Sequence, residues 1–161
     1  MSHLGKGGCC KQGYKNQSGW CLKFLLDNPK LSWSEAVDTC ESKGASIAYV
    51  DTAEKIATLQ KLMVSRGWYY MYVAGKVKAV ATNGFVTFKP AGNSTETGSD
   101  INRHFHVAFL ERVTLTSDLT AKDIPKEGKE LSVMAEIIKG KVHFKAVPSC
   151  WGMKFVCEQI G

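Results

Sequence analysis

Ser32-Trp33-Ser34-Glu35-Ala36-Val37-Asp38-Thr39-Cys40, followed closely by Gly44-Ala45-Ser46-Ile47-Ala48, is the stretch on which the fold turns. Ser32 and Glu35 have the spacing of a capping box: the serine hydroxyl accepts from the backbone N–H of Glu35 while the carboxylate reaches back. Trp33, Ala36, Val37 and Cys40 then recur at helical spacing and form one stripe to be buried. Gly44 ends the helix, because glycine tolerates the left-handed conformation that follows a helix end. Ile47-Ala48-Tyr49-Val50 reads as a short buried strand. A second helix is expected to start near Asp51, with Glu54 three residues on as a weaker capping box. It turns Ile56, Leu59, Leu62 and Met63 inward and closes at Gly67.

Beyond Gly67 the pattern changes. Residues 69–73, 85–88, 106–110, 131–137, 141–145 and 153–157 are rich in β-branched and aromatic side chains, separated by Gly, Pro, Asn and Asp turns, and read as strands. Helices early and strands late predict an α+β class. Polar stretches at 91–103 and 116–129 interrupt this half, and long loops in a compact domain are usually functional or mobile. Residues 1–8 are small and polar and read as a loose end, which leaves 9–161 as a single domain.

The 161 residues include six cysteines, an even number that points to disulfides and an oxidising compartment. Asn16-Gln17-Ser18 and Asn93-Ser94-Thr95 match the N-glycosylation acceptor pattern. No apolar run is long enough to span a bilayer, and no signal peptide is visible, so a mature secreted chain or a fragment with its anchor elsewhere is expected. The net charge of +6 suits solubility and attraction to acidic partners such as sulfated glycans. The lysines are scattered and no recognition motif is present, which argues against nucleic acid.

The opening stretch resembles the signature of C-type lectin-like domains: tryptophan and alanine on the first helix, a cysteine ending it, and a Gly-Ala turn into a strand. Asp51-Thr52-Ala53-Glu54-Lys55 resembles the start of that family's second helix, and Lys154-Phe155-Val156-Cys157-Glu158 its closing strand. Cys10, Tyr14, Trp20 and Cys21 resemble the opening hairpin of the long form. Met71-Tyr72-Val73-Ala74-Gly75 stands for the Trp-Ile-Gly strand and Gly84-Phe85-Val86-Thr87-Phe88 for the next. The resemblance implies a fold of two helices flanking small antiparallel sheets with a long loop region. It implies the pairs Cys40–Cys157 and Cys10–Cys21. The family's other bridge would join Cys150 to the position of Ser132, where its partner is lost. Cys9 is left over; it either pairs with Cys150, or one or both thiols pair with another chain to give a disulfide-linked dimer.

Sugar-binding members hold calcium on a Glu-Pro-Asn or Gln-Pro-Asp tripeptide, a later glutamate and a Trp-Asn-Asp motif, because calcium takes roughly six to eight hard oxygen ligands. Here Ile124-Pro125-Lys126 and Val142-His143-Phe144 stand at those places, and only Glu130 keeps a donor. No calcium and no other cofactor is expected. His104-Phe105-His106 puts two imidazoles on one face if it is a strand, too few for zinc. No nucleophile elbow or phosphate loop occurs, so no catalysis is expected. Trp68, Tyr69 and Tyr70 read as core and rim.

The expected function is a non-catalytic, calcium-independent extracellular recognition module for adhesion, receptor or immune-type contacts. The ligand face is expected around Lys126, Glu127, Lys129, Glu130, Lys141, His143 and Lys145; these lysines with Lys139 either form a basic rim or, the favoured reading, only blunt exposed strand edges. A protein partner leads; an acidic or sulfated glycan and a purely structural role in a larger secreted or membrane protein are the alternatives.

Overall fold

The computed structural model describes residues 10–27, 29–91 and 104–160. Two strands, β1 (Lys15–Gln17) and β2 (Trp20–Lys23), form a hairpin ahead of α1 (Trp33–Ser42), β3 (Ala45–Ile47) and α2 (Ala53–Arg66). The later strands are β4 (Tyr70–Thr82), β5 (Phe85–Pro90), β6 (Val113–Leu115), β7 (Lys129–Ile138), β8 (Lys141–Val147) and β9 (Cys157–Gln159).

The capping box at Ser32 and Glu35 forms as the sequence requires, and the α1 stripe of Trp33, Ala36, Val37 and Cys40 is buried. Hydrogen bonding to Ser32, backbone first, holds the Glu35 carboxyl below its ordinary range. For α2 the cap is Thr52 rather than Asp51: the threonine side chain accepts from the Lys55 N–H. Asp51 is instead drawn to Lys55, one helical turn on, at 3.0 Å. Gly67 closes α2 at φ +69°.

The strands make two sheets. One has the order β1-β2-β9-β3, so the beginning and end of the described chain meet in it; the other has the order β5-β4-β7-β8-β6. All pairings are antiparallel except that of β6 with β8. One face of the larger sheet packs Met71, Val77, Leu131, Val133 and Phe144 against Leu59 and Met63 of α2. The other packs Tyr72, Ala74, Met134 and Val147 against Trp33 and Val37 of α1 and against Ile47 and Cys157 of the smaller sheet.

Four expectations about strands change. The strand expected at 47–50 is β3, two residues earlier. The strand at 69–73 runs on to Thr82, because after an irregularity between Tyr72 and Lys76 it resumes pairing with both β5 and β7. Residues 106–110 form no strand: Val107–Arg112 is a 3-10 helix, started by His106, whose Nδ1 accepts from the Ala108 N–H. The alternating apolar pattern there has no ladder to join, and Val107 stays exposed. Residues 153–157 cross between sheets, with Met153 bridging Leu31 and Lys154 bridging Met71, so a ladder begins only at Cys157.

Candidate functional site

The seven residues expected to grip a ligand fall into two groups. Lys126 and Glu127 precede β7, and Lys129 and Glu130 open it beside Ala79 and Lys78 of β4. Glu130 is already engaged by Lys76 at 3.4 Å. Lys141, His143 and Lys145 lie on β8 opposite Ile138, Glu136 and Met134, toward the far end of β7. A strand advances about 3.3 Å per residue, so the length of β7 puts Lys129 roughly 30 Å from Lys141. Lys129 and Lys141 are therefore too far apart to grip one small ligand, whereas Lys145 lies opposite Met134, near the middle of β7. The sequence hid this because the length and register of β7 depend on its partners.

The chain assembles a different site at the α2 end of the larger sheet. A cleft of about 650 Å³ opens there. Its floor is Met134 and Met153, and its walls are Trp68, Tyr69, Tyr70 and Trp151. Trp68 is 7% exposed, but Tyr69 and Tyr70 are 65% and 50% exposed. Trp68 is thus core and Tyr69 and Tyr70 are rim, and the rim lines this cleft. Charges of both signs ring the cleft: Lys30 and Lys154, and Asp118 and Glu136. None of these four forms an ion pair among the described residues. Lys154 stands 5.4 Å from the Trp68 ring centroid, and Arg66 stacks at 3.8 Å on Phe24 and 5.4 Å from Trp68. The only sequence signal was the unbroken Trp68-Tyr69-Tyr70 run directly after a helix stop.

The wall carrying Trp151 is firmly held. Trp33 donates its backbone N–H to the Ser149 carbonyl at 3.0 Å, and Leu31 and Met153 exchange two backbone hydrogen bonds. The Tyr72 hydroxyl donates to the Trp151 carbonyl. Burial, with a smaller contribution from Cys150, pushes the Tyr72 phenol well above its ordinary range, so it remains a donor at all physiological pH.

No protein-family model matches the sequence. Its structure, however, is similar to several solved ones. EMS16, an antagonist of the collagen receptor integrin α2β1, aligns at a TM-score of 0.55 and 15% identity, over 94% of this chain and all (100%) of that one. The calcium-independent C-type lectin SPL-2 from Saxidomus purpuratus aligns at 0.52 and 13% identity, over 92% of each chain. A calcium-independent type II antifreeze protein aligns at 0.52 and 13% identity, over 94% of each. The chain has a C-type lectin-like fold.

Within that fold, the implied bridges Cys10–Cys21 and Cys40–Cys157 are both present. Cys150 is free and exposed, while Cys9 lies outside the described residues. Ser132 stands where the C-type lectin-like resemblance implies a cysteine, and it is buried. Its hydroxyl hydrogen-bonds that of Ser149 at 2.6 Å.

The residues do not fit the calcium ion of sugar-binding C-type lectin-like domains. Ile124, Val142 and Phe144 are in the core, Lys126 brings a positive charge, and Glu130 is paired with Lys76. Among the described residues no group of three or more His, Cys, Asp or Glu side chains is placed to hold a metal. His106 is used in capping and stacks 5.8 Å from Tyr49. Of the two sequons, Asn16 sits in the β1–β2 hairpin and accepts from the Gly19 N–H; Asn93 lies outside the described residues. Among the described residues no helix is long and apolar enough to cross a membrane.

Proposed function

We propose that this C-type lectin-like domain is a non-catalytic, calcium-independent extracellular recognition module that binds a protein partner through the cleft walled by Tyr69, Tyr70 and Trp151. The observation that carries the reading is the composition of the cleft. Exposed aromatic side chains are surrounded by unpaired charges of both signs. Tyrosine and tryptophan supply large contact area at low entropic cost and dominate binding energy at protein interfaces. A polypeptide segment brings apolar side chains together with both charge signs and satisfies such a rim. An acidic glycan meets repulsion from Asp118 and Glu136. The two disulfides favour an extracellular setting, and the sequons at Asn16 and Asn93 are proposed sites of N-glycosylation. The residues Lys126, Glu127, Lys129 and Glu130 are proposed as a secondary contact at the opposite end of the sheet, outside the main cleft.

The test is a screen of an extracellular-protein library and a glycan array with the oxidised domain in chelator, repeated with Tyr69→Ala/Trp151→Ala. A protein binder is expected whose signal survives chelator and falls at least about tenfold in the double variant, the loss of one hot-spot contact. Binding to glycans alone, binding only with calcium, or equal binding by the variant would overturn the reading.

A further inference from the structure

β5 (Phe85–Pro90) is the outer strand of the larger sheet, and among the described residues only β4 pairs with it. Asn83 and Gly84, both at positive φ, join the two strands in a two-residue turn closed by the Thr82–Phe85 pair. That closing pair exchanges hydrogen bonds, and successive antiparallel pairs alternate between bonded and non-bonded. Phe85, Thr87 and Lys89 therefore turn their backbone groups toward β4, whereas Val86, Phe88 and Pro90 turn theirs outward. Neither Val86 nor Phe88 makes another backbone hydrogen bond among the described residues. The side chains follow the same alternation. Val86 and Phe88 pack inward with Phe109 and Leu110, while Phe85, Thr87 and Lys89 lie exposed on the other face. Phe85 is 75% exposed. An edge of this kind is a template for another strand.

We infer that the β5 edge is a docking surface for a second copy of this chain, which pairs with it antiparallel about a two-fold axis at Thr87. The register decides the occupant. Centred on Thr87, the pairing sets Val86 of each copy opposite Phe88 of the other, so every outward N–H and C=O group of both residues finds a mate. Pro90, which has no N–H to offer, falls opposite the Gly84 turn, past the end of the pairing. Sliding the register by two residues sets Pro90 opposite Val86 in one direction and Phe88 against the turn in the other, and outward groups lose their partners. Phe85 faces Lys89 of the other copy, an aromatic ring beside an ammonium, and Thr87 faces itself, a favourable cross-strand pair. Lysine and proline on an edge usually discourage pairing. Here both sit at one end of the strand and restrict it to a single register. The resulting contact is isologous and joins the two larger sheets edge to edge. The cleft of Tyr69 and Tyr70 lies at the other end of β4, so each copy keeps its own cleft and the inference stands apart from what binds there.

The experiment is sedimentation equilibrium of the oxidised chain over a concentration series, in a Cys9→Ser/Cys150→Ser background that excludes a dimer linked through those thiols. A reversible dimer is expected, with Val86 and Phe88 amides that exchange slowly with deuterium at high concentration and fast at low. Thr87 is exposed, so its variants keep the fold; an unchanged melt of the dilute protein checks this. Thr87→Glu and Thr87→Lys should each weaken the dimer at least about tenfold, because like charges then meet on the axis, and an equimolar mixture of the two should dimerise again. Thr87→Cys should link to its own copy on oxidation, since residues of a non-bonded antiparallel pair stand about 4.5 Å apart at Cα. Phe85→Cys should not, because the same register holds the two copies of that residue roughly 13 Å apart along the strands. A monomer at every concentration, a dimer indifferent to charge at position 87, or equal cross-linking of Thr87→Cys and Phe85→Cys would each overturn the inference. Protection of the Val86 and Phe88 amides only on adding a foreign extended peptide would assign the edge to another partner and overturn it as well.

Discussion

Gly75 sits at φ +119° in the irregular stretch of β4, and the backbone of Phe105 occupies the space a Cβ would need. Neither constraint can relax cheaply, since the obstacle is main chain. Gly75→Ala is expected to destabilise the domain by about 3 kcal/mol or more, read from urea unfolding. A loss below about 1 kcal/mol, or a gain such as the ~0.4–1 kcal/mol expected where alanine fits without strain, would mean the close approach is absent. At Glu158 the cost is electrostatic. Its carboxylate accepts from Trp20 Nε1 at 3.1 Å and from the Tyr49 N–H at 2.7 Å. Lys55, buried against the Trp20 ring at 5.1 Å, pulls its pKa down, but burial is the larger effect and raises it above 4.5. The folded state therefore holds this proton more tightly than the unfolded one. The resulting stabilisation is complete below about pH 4.5 and is lost as pH rises through the folded value. Relative to Glu158→Gln, which keeps the acceptor oxygen, the native protein should lose stability as pH rises above about 4.5 and until it passes the raised folded value, at up to about 1.4 kcal/mol per pH unit. A difference that stays flat with pH in denaturation curves would show an ordinary carboxyl.

Among the elements, the segment between β8 and β9 bears most directly on the proposed function, because it carries Trp151 to the cleft. It is tied to α1, to Leu31 and to Tyr72 by hydrogen bonds, and to β7 through Ser132 and Ser149. Where related folds close this junction covalently, two hydroxyls 2.6 Å apart close it here. Ser132→Cys/Ser149→Cys, in a Cys150→Ser background to prevent mispairing, should form a disulfide. The separation of 17 residues corresponds to about 3 kcal/mol of added stability. The gain should appear as a higher melting temperature that reductant abolishes; free thiols by mass spectrometry in oxidised protein would contradict the geometry. The helices are simpler. The Ser32 cap on α1 and the Thr52 cap on α2 each satisfy an N–H that would otherwise lack a partner. Ser32→Ala should cost about 1 kcal/mol in urea unfolding, because it removes the acceptor for the Glu35 N–H and the hydroxyl's own bond to the Glu35 carboxylate, while the Ser32 N–H keeps its bond to that carboxylate.

For the molecule as a whole, the two disulfides differ in what they restrain. Cys40–Cys157 joins residues 117 apart and ties α1 to the smaller sheet through two fully buried side chains, whereas Cys10–Cys21 spans only 11 residues in the opening hairpin. Loop-closure entropy grows with loop length, so removing the longer bridge should cost about 2 kcal/mol more than removing the shorter. Comparison of Cys40→Ala/Cys157→Ala with Cys10→Ala/Cys21→Ala by chemical denaturation checks this; equal losses would place the stabilisation in local packing. The proposed aromatic cleft depends on the larger sheet, where β4 meets the β8–β9 segment. Reducing either bridge gently should therefore leave it less affected than Gly75→Ala does.

What the sequence determined by itself is local. The Ser32 capping box, the Trp33 and Cys40 stripe and the Gly67 stop each involve residues within a few positions of one another, where spacing alone sets geometry. The Asp51 cap was misplaced by one residue because a carboxylate and a hydroxyl are both good caps and tertiary contact with Lys55 chose between them. The pairings Cys40–Cys157 and Cys10–Cys21 followed from resemblance to a family, not from spacing. The tertiary structure alone decided which charges share a surface. It placed Lys129 and Lys141 at opposite ends of β7 and gathered Lys30, Trp68, Asp118, Glu136 and Trp151 from five separate segments into one cleft. Helical and strand periodicity reports which face of an element is buried, but a binding surface is made where elements from distant parts of the chain close on one another, and that closure is fixed only when the sheets pair.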